Sequence, residues 1–334
     1  MSTTSLGDLA QSFMLQKRSV LLRTDLSRLT DELSSGRVSD IKEVLAGNHN
    51  YLSGLENSIE VLKGYTIATE EAAILTASMQ TSLERVQDVS GKLALDFLLI
   101  GGGPIGVVAA SPVENARMQL DSVLNTLNDD VAGRSLFAGT ATNQAPLPDA
   151  ETLKNLVLTE IAGQTTPKDI VAAARAWFSD PAGFDAVAYM GSNTPLAPFA
   201  LSETENLQID VRANEDSIKE ALMNMTVAAL ADDTALGLSV PEQAELFGIV
   251  GINLQANQDQ LIDLRARVGF TEERIELIST RNSFEESSSE FARNQLLAAD
   301  PFETATELEN VQFYLQSLYS VTVRNSQLSL VNFL

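Results

Sequence analysis

The sequence has no cysteine and only one histidine, His49, among its 334 residues. The absence of cysteine excludes disulfide bonds, thiol nucleophiles and thiolate metal sites together. It suits a protein that works outside the cell without relying on redox chemistry. A single histidine with no second histidine or cysteine near it indicates a surface residue rather than a metal ligand or a catalytic base.

Basic residues are scarce, because 22 Lys and Arg face 45 Asp and Glu and the net charge is −23. Residues 1–50 hold six basic and six acidic side chains, residues 291–334 hold two and four, and residues 51–290 carry the remaining −21. Nucleic acid is excluded as a partner because phosphate binding needs a basic face. Near-neutral ends beside an acidic middle favour a subunit that assembles through its termini, although an ordinary acidic soluble protein has the same composition.

Long apolar runs are missing as well. No stretch approaches the ~20 apolar residues that a membrane-spanning helix needs. The segment Met1–Leu22 lacks the basic start, the apolar core and the cleavage site of a signal peptide. We therefore expect no membrane insertion and, if the chain is exported, a route other than a cleaved signal.

Both ends of the chain carry apolar residues at heptad spacing, which is typical of helices that pack as coiled coils. The N-terminal row is Leu15, Leu22, Leu26, Leu29 and Leu33, and it stops before Gly36. The C-terminal row, Leu308, Val311, Leu315, Leu318 and Thr322, follows a helix start at Asp300, Pro301 and Glu303. The chain then ends on Leu328, Leu330, Val331, Phe333 and Leu334.

These apolar residues predict a surface for packing between subunits, since a free terminus gains little from an apolar seam. The predicted packing residues are Leu22, Leu26, Leu29, Leu33, Leu308, Val311, Leu315, Leu318, Leu328, Leu330 and Phe333. We expect the terminal helices to be disordered in the free monomer, because there the seams lack partners.

The middle of the chain predicts two long helices, over residues 55–97 and from Pro241 to about Ala299. In the second helix, Phe284 and Phe291 fall outside the earlier heptad frame, which suggests a stutter in the supercoil or a joint between two segments of rod. Between the helices, residues 141–200 hold six of the ten prolines and the single Trp177. A helix is expected from Pro167 to Phe178, and a strand over Leu207, Ile209 and Val211.

The predicted fold class is mainly α. A long, antiparallel, coiled-coil-like helical rod is formed by the N- and C-terminal segments, and a small mixed α/β domain is inserted between them. We expect residues 1–50 with 291–334 to form a terminal assembly core, residues 51–140 with 212–290 the rod, and residues 141–211 a variable, outward-facing domain.

One motif suggests an enzyme. Gly101, Gly103 and Gly106 match the glycine pattern with which flavin and nicotinamide enzymes hold a pyrophosphate. That pattern belongs between a strand and a helix, whereas here a predicted helix precedes it and Pro112 would break a helix that began at these glycines. Acidic pairs such as Asp129-Asp130 predict a solvated surface, because adjacent helical residues point apart. We predict no catalytic residue, no metal site and no cofactor.

Three internal motifs and the C-terminal ending resemble the bacterial flagellin superfamily. The motifs are Leu33-Ser34-Ser35-Gly36-Arg37 after the first heptad helix, residues 133–140 (GRSLFAGT) before the insert, and residues 265–269 (RARVG) in the last long helix. Within the superfamily, residues 211–216 (VRANED) and the ending QLSLVNFL, residues 327–334, are similar to proteins of the hook-filament junction. The residues Val38–Ile41 depart from the family's usual Asp-rich turn.

This resemblance implies a structural subunit of the extracellular flagellum rather than an enzyme. It implies export by the flagellar type III route, polymerisation at the distal end of the hook, and the joining of hook to filament. The implied partners are further copies, the hook or a neighbouring hook-associated protein, flagellin, and an export chaperone. A filament or minor flagellin, a nucleotide-binding enzyme and a free secreted coiled-coil adhesin stay open as alternatives.

Overall fold

A computed structural model describes residues 3–41, 49–102 and 111–331 of the chain. Within these ranges the protein is mainly helical, with four strands of two residues each. The helices are α1 (Thr3–Ser35), α2 (His49–Gly101), α3 (Ser111–Leu127), α4 (Ala150–Ile161), α5 (Pro167–Ser179), α6 (Phe184–Val187), α7 (Asp216–Ala229), α8 (Val240–Leu296) and α9 (Pro301–Val331). The strands are β1 (Asp130–Val131), β2 (Arg134–Ser135), β3 (Phe199–Ala200) and β4 (Asn206–Leu207).

The chain divides into two compact units. The terminal unit consists of Met1–Lys63 and Phe284–Leu334, so it combines both ends of the sequence. The central unit is Gly64–Ser283. The helices α2 and α8 each contribute residues to both units. The predicted fold class is confirmed, because N- and C-terminal segments pair as long helices and a small region with tiny sheets lies between them in sequence.

In the central unit, α2 and α8 run antiparallel. The side-chain amide of Gln80 donates to the carbonyl of Arg265 at 3.0 Å, and the rings of Phe97 and Phe247 lie 4.9 Å apart. Contacting pairs therefore have residue numbers that increase along α2 and decrease along α8. Gly251 permits close approach, because a Cβ atom there would lie 2.9 Å from the backbone nitrogen of Leu98.

The buried face of α2 is wider than a single row of residues at heptad spacing. Leu83, Val86 and Phe97 lie in one buried row, and a second row includes Met79 and Ala94. The second row exists because α2 has another neighbour, α3, which shares the same hydrophobic cluster. A helix with two neighbours needs a broad apolar face.

Up to Asn282 the buried row of α8 shows no stutter, and the boundary between the two compact units falls between Ser283 and Phe284. The row continues at steps of three, four or seven residues: Val250, Leu254, Asn257, Leu261, Leu264, Val268, Ile275, Ile278 and Asn282. Phe284 and Phe291 lie on the surface, with 74% and 69% of each residue exposed. The frame continues through the polar Asn282, so the two phenylalanines mark an outer face rather than a shift of the core.

The segment between the long helices folds as short capped helices. Asp149 caps α4 by accepting from the backbone nitrogen of Thr152 at 2.7 Å, and Thr166 caps α5 by accepting from that of Asp169 at 3.2 Å. The helix predicted from Pro167 to Phe178 is confirmed as α5. Its buried side chains join the cluster that also contains α3 and α7.

The predicted strand over residues 207–211 is largely wrong. Only Asn206 and Leu207 pair with a neighbour, β3, whose two residues are Phe199 and Ala200. Ile209 and Val211 are buried, but they lie beyond the end of this ladder. Alternating apolar residues predict which side chains are buried, whereas a strand also needs a partner of equal length for its hydrogen bonds.

Candidate assembly surface

Two of the sequence motifs, residues 133–140 and residues 211–216, are in contact in the central unit. The segment 133–140 begins in the turn of the β1–β2 hairpin and contains β2, and the backbone nitrogen of Ala213 donates to the carbonyl of Phe137 at 3.0 Å. The third internal motif lies against the same place, because the Arg267 guanidinium is 2.9 Å from the Glu215 carboxylate. Segments far apart in sequence therefore form one contact region.

The backbone at position 139 restricts which residue can stand there. Its φ is +59°, in the left-handed region that favours glycine. A Cβ atom at this position would lie 2.4 Å from the carbonyl oxygen of Ser192. The neighbouring backbone is fixed by two hydrogen bonds, from Ser192 to Ala138 at 2.8 Å and from Thr140 to Thr194 at 3.0 Å. Backbone contact leaves no room for a larger residue.

Tyr189 contacts the backbone of the same region. Its hydroxyl donates to the carbonyl of Ser192 at 3.1 Å. Burial raises the pKa of Tyr189 to about 12. A phenol held neutral and bonded to backbone supports the loop and is unsuited to proton transfer near neutral pH.

In the terminal unit, the residues that follow α1 are hydrogen-bonded to the residues that precede α9. Gly36 follows α1 with φ +68°, as the sequence predicted for a residue just past a helix end. Its carbonyl accepts from the backbone nitrogen of Ala299 at 3.0 Å, and the backbone nitrogen of Val38 donates to the carbonyl of Leu297 at 3.0 Å. Arg37 adds a hydrogen bond to the side chain of Asn294 at 2.7 Å.

The helices α1 and α9 pack against each other within one chain. The Arg23 guanidinium donates to the Tyr319 hydroxyl at 2.9 Å, and its central carbon lies 5.9 Å from the centre of the Tyr319 ring. The hydrogen bond from Arg23 lowers the pKa of Tyr319. The terminal helices are therefore antiparallel partners, since residue 23 meets 319 while residue 37 meets 298.

The predicted packing residues of α1 differ in how far they are exposed. Leu29 is buried, Leu22 and Leu26 are half-buried, and Leu33 is 40% exposed. Glu32 lies buried on this face instead of Leu33. Its carboxylate accepts from the Arg28 guanidinium at 3.1 Å and from the backbone nitrogen of Ser39 at 2.8 Å, which explains how a carboxylate can be buried there.

On α9, four of the five residues of the predicted row are buried or half-buried, whereas Thr322 is exposed. Leu315 is buried, and Leu308, Val311 and Leu318 are half-buried. The side chains of Leu328 and Leu330 and the whole of Phe333 lie outside the described residues. Whether any of these residues packs against another subunit stays a prediction.

The sequence reading missed a second apolar face on each terminal helix. Its members are large side chains that remain mostly exposed: Phe13, Met14, Val20 and Leu21 on α1, and Phe302, Phe313, Tyr314, Val321 and Val323 on α9. A signal was available, because Phe13 and Val20, like Met14 and Leu21, are seven residues apart. Clustered exposed apolar side chains are typical of interaction sites, which makes these two faces candidates for one.

The glycine motif gains no support as a nucleotide site. Gly101 is the last residue of the helix α2, whereas a dinucleotide fingerprint follows a strand. Gly103 and Gly106 lie outside the described residues. Among the residues that the structure describes, none forms a group of three or more His, Cys, Asp or Glu suited to a metal ion. In the same ranges, each helix is too short or too polar to cross a membrane.

No protein-family model and no curated protein matches this sequence. Among solved structures, the chain is similar to one described as that of a "putative flagellar hook-associated protein" from Vibrio parahaemolyticus. The TM-score is 0.51 at 13% sequence identity, over 73% of this chain and 95% of that chain. The structural resemblance that the motifs predicted is thereby confirmed: the chain has the fold of that flagellar hook-associated protein.

Proposed function

We propose that the chain is a structural subunit of the bacterial flagellum that polymerises at the distal end of the hook and joins hook to filament. The observation that carries the proposal is the fold shared with a flagellar hook-associated protein. The terminal unit supports it, since both ends of the chain pair there and leave apolar faces exposed. The proposal gives the chain no catalytic role and no cofactor.

The proposed partners follow from this role. Further copies of the chain contact one another through the terminal unit, the hook or a neighbouring hook-associated protein lies below, and flagellin lies above. An export chaperone escorts the chain before export. The chain itself is located in the extracellular flagellum, at the hook-filament junction. Within each chain, the seam leucines of α1 are proposed to pack against the row Leu308, Val311, Leu315 and Leu318 when subunits stack.

Deleting the gene tests the proposed function. Hooks should remain, flagellin should be shed into the medium, and no filament should grow. Expression of the chain from a plasmid should restore filaments, which controls for effects on neighbouring genes. If filaments still grow without the chain, it is a minor filament subunit or a protein outside the flagellum. Long polymers grown from the purified chain alone would favour a filament flagellin.

Cross-linking tests the packing of the terminal helices in assembled hooks, and the lack of native cysteine makes each introduced thiol unique. The pair Arg23→Cys with Tyr319→Cys should be joined by a bifunctional thiol reagent long enough to replace the two side chains, because these side chains touch at their ends. Arg23→Cys with Phe302→Cys is the mismatched control. Equal cross-linking of both pairs would contradict a fixed register of α1 against α9.

A further inference from the structure

The outer face of α1 combines apolar and basic side chains. Phe13, Lys17 and Val20 succeed one another at spacings of four and three, and so do Met14, Arg18 and Leu21. Such spacings place each set on one stripe of the helix. The four apolar side chains are between 57% and 69% exposed, and both cations are exposed. Each cation is therefore flanked along the helix by apolar residues.

The outer face of α9 has the opposite charge. Phe302, Glu309 and Phe313 lie on one stripe, at spacings of seven and four. Glu303 and Tyr314 lie eleven residues apart on the adjacent stripe. Phe302 is 84% exposed and Phe313 is 65% exposed, and both carboxylates are exposed. Over residues 302–314 this face is apolar and aromatic with negative charges between its rings.

These charges have no opposite partner within the described part of the chain. Lys17 and Arg18 form no ion pair with a described residue, and neither do Glu303 and Glu309. The inner faces of α1 and α9 are occupied by their own contact, in which Arg23 meets Tyr319. The two outer faces are thus free, apolar and complementary in charge.

We propose that the outer face of α1 in one copy docks on the outer face of α9 in a second copy. Lys17 and Arg18 face Glu303 and Glu309, while the apolar side chains exclude water between them. Because the two faces differ, the contact is heterologous and repeats from copy to copy, as a ring or an open assembly requires. The inference rests on the proposed function for the place of assembly and deepens it by naming the surfaces.

Charge reversal on the purified full-length chain tests this docking, with polymerisation on isolated hooks as the readout. The first variant is Lys17→Glu with Arg18→Glu, and the second is Glu303→Lys with Glu309→Lys. Each alone should lower the amount of chain bound per hook at least tenfold. A mixture of the two should restore binding, because every α1 face then finds an α9 face of opposite charge. The variant that carries all four substitutions should also bind.

The control is Glu56→Lys with Glu60→Lys, which reverses two exposed carboxylates of the same unit outside both faces and should bind like the unmodified chain. Circular dichroism should show equal helix content in all variants. Undiminished binding of both reversed variants, a mixture that fails to recover, or an unmodified chain that stays monomeric on hooks would overturn the inference. Full rescue of the deletion strain by both reversed variants would refute the docking while leaving the proposed function intact.

Discussion

Gly101 and Gly248 face each other where α2 ends against α8. A Cβ atom on Gly101 would lie 2.4 Å from the Cα of Gly248, whereas a Cβ atom on Gly248 would lie 3.4 Å from the Cα of Gly101. The first distance is a collision with backbone, and the second is close to an ordinary van der Waals contact. The two glycines are thus not equivalent, although they share one contact.

We expect Gly101→Ala to lower the free energy of unfolding by about 1–3 kcal/mol, because overpacking against backbone forces the helices apart. Gly248→Ala is the matched control. It should be neutral or stabilising by up to ~1 kcal/mol, since alanine favours a helix interior more than glycine does. Urea denaturation of the three proteins measures both effects. Equal losses from the two substitutions would contradict the asymmetric contact.

Much of the helical architecture could be predicted from sequence, because its signals are local. The cap at Asp300 is an example: its carboxylate accepts from the backbone nitrogens of Phe302 at 2.8 Å and Glu303 at 3.2 Å. Gly36 is another, since a helix end needs a residue that tolerates positive φ. Both signals act within a few residues and need no knowledge of neighbouring helices.

The errors arose where the burial of a polar residue depends on a hydrogen-bond partner that the apolar pattern does not show. Leu33 was expected in the seam, yet it is exposed while Glu32 is buried, because Arg28 and the backbone nitrogen of Ser39 satisfy the Glu32 carboxylate. Asn282 similarly continues the core frame of α8 because it finds a carbonyl on another segment. A heptad pattern counts apolar residues and cannot show that a polar one has a partner across the fold.

Asn282 offers a direct test of that partnership. Its side-chain nitrogen donates to the carbonyl of Leu201 at 2.8 Å, and both residues are buried. We expect Asn282→Leu to lower the free energy of unfolding by about 1–3 kcal/mol although it restores an apolar residue to the heptad frame, because the Leu201 carbonyl loses its donor. Ser283→Ala, one exposed position along, should change it by less than ~0.5 kcal/mol. A more stable Asn282→Leu protein would show that the hydrogen bond does not matter.

Protonation of Glu205 should make the central unit less stable in acid. Its carboxylate is held by the guanidinium of Arg281 at 2.9 Å and that of Arg274 at 3.4 Å. The hydrogen bond from Arg281 is the main reason that the pKa of Glu205 lies below its ordinary 4.5. A lowered pKa in the folded state means that this contribution is present above pH 4.5 and is lost as the pH falls through the folded-state value.

The measurement is the thermal midpoint of the unmodified chain and of Glu205→Gln between pH 3 and pH 7. The midpoint of the variant should be lower at pH 7, and the difference should shrink below pH 4.5. Glu203→Gln removes a neighbouring exposed carboxylate without these arginines and should show no such convergence. A Glu205→Gln difference that stays constant down to pH 3 would contradict the assignment to this ion pair.

The terminal helices should gain most of their stability from assembly. Among residues 313–324 of α9 only Leu315 is buried, whereas the equally long span 79–90 of α2 buries Met79, Ser82, Leu83, Val86 and Ser90. Helices with few buried contacts open readily, since isolated helices are marginal in water. In the free monomer, amide hydrogens of residues 313–324 should exchange on the order of 100-fold faster than those of residues 79–97. Protection should rise in α9 once the chain is bound to hooks and stay constant in α2. Strong protection of residues 300–322 in the monomer would mean that contact within one chain is sufficient to hold the terminal pair.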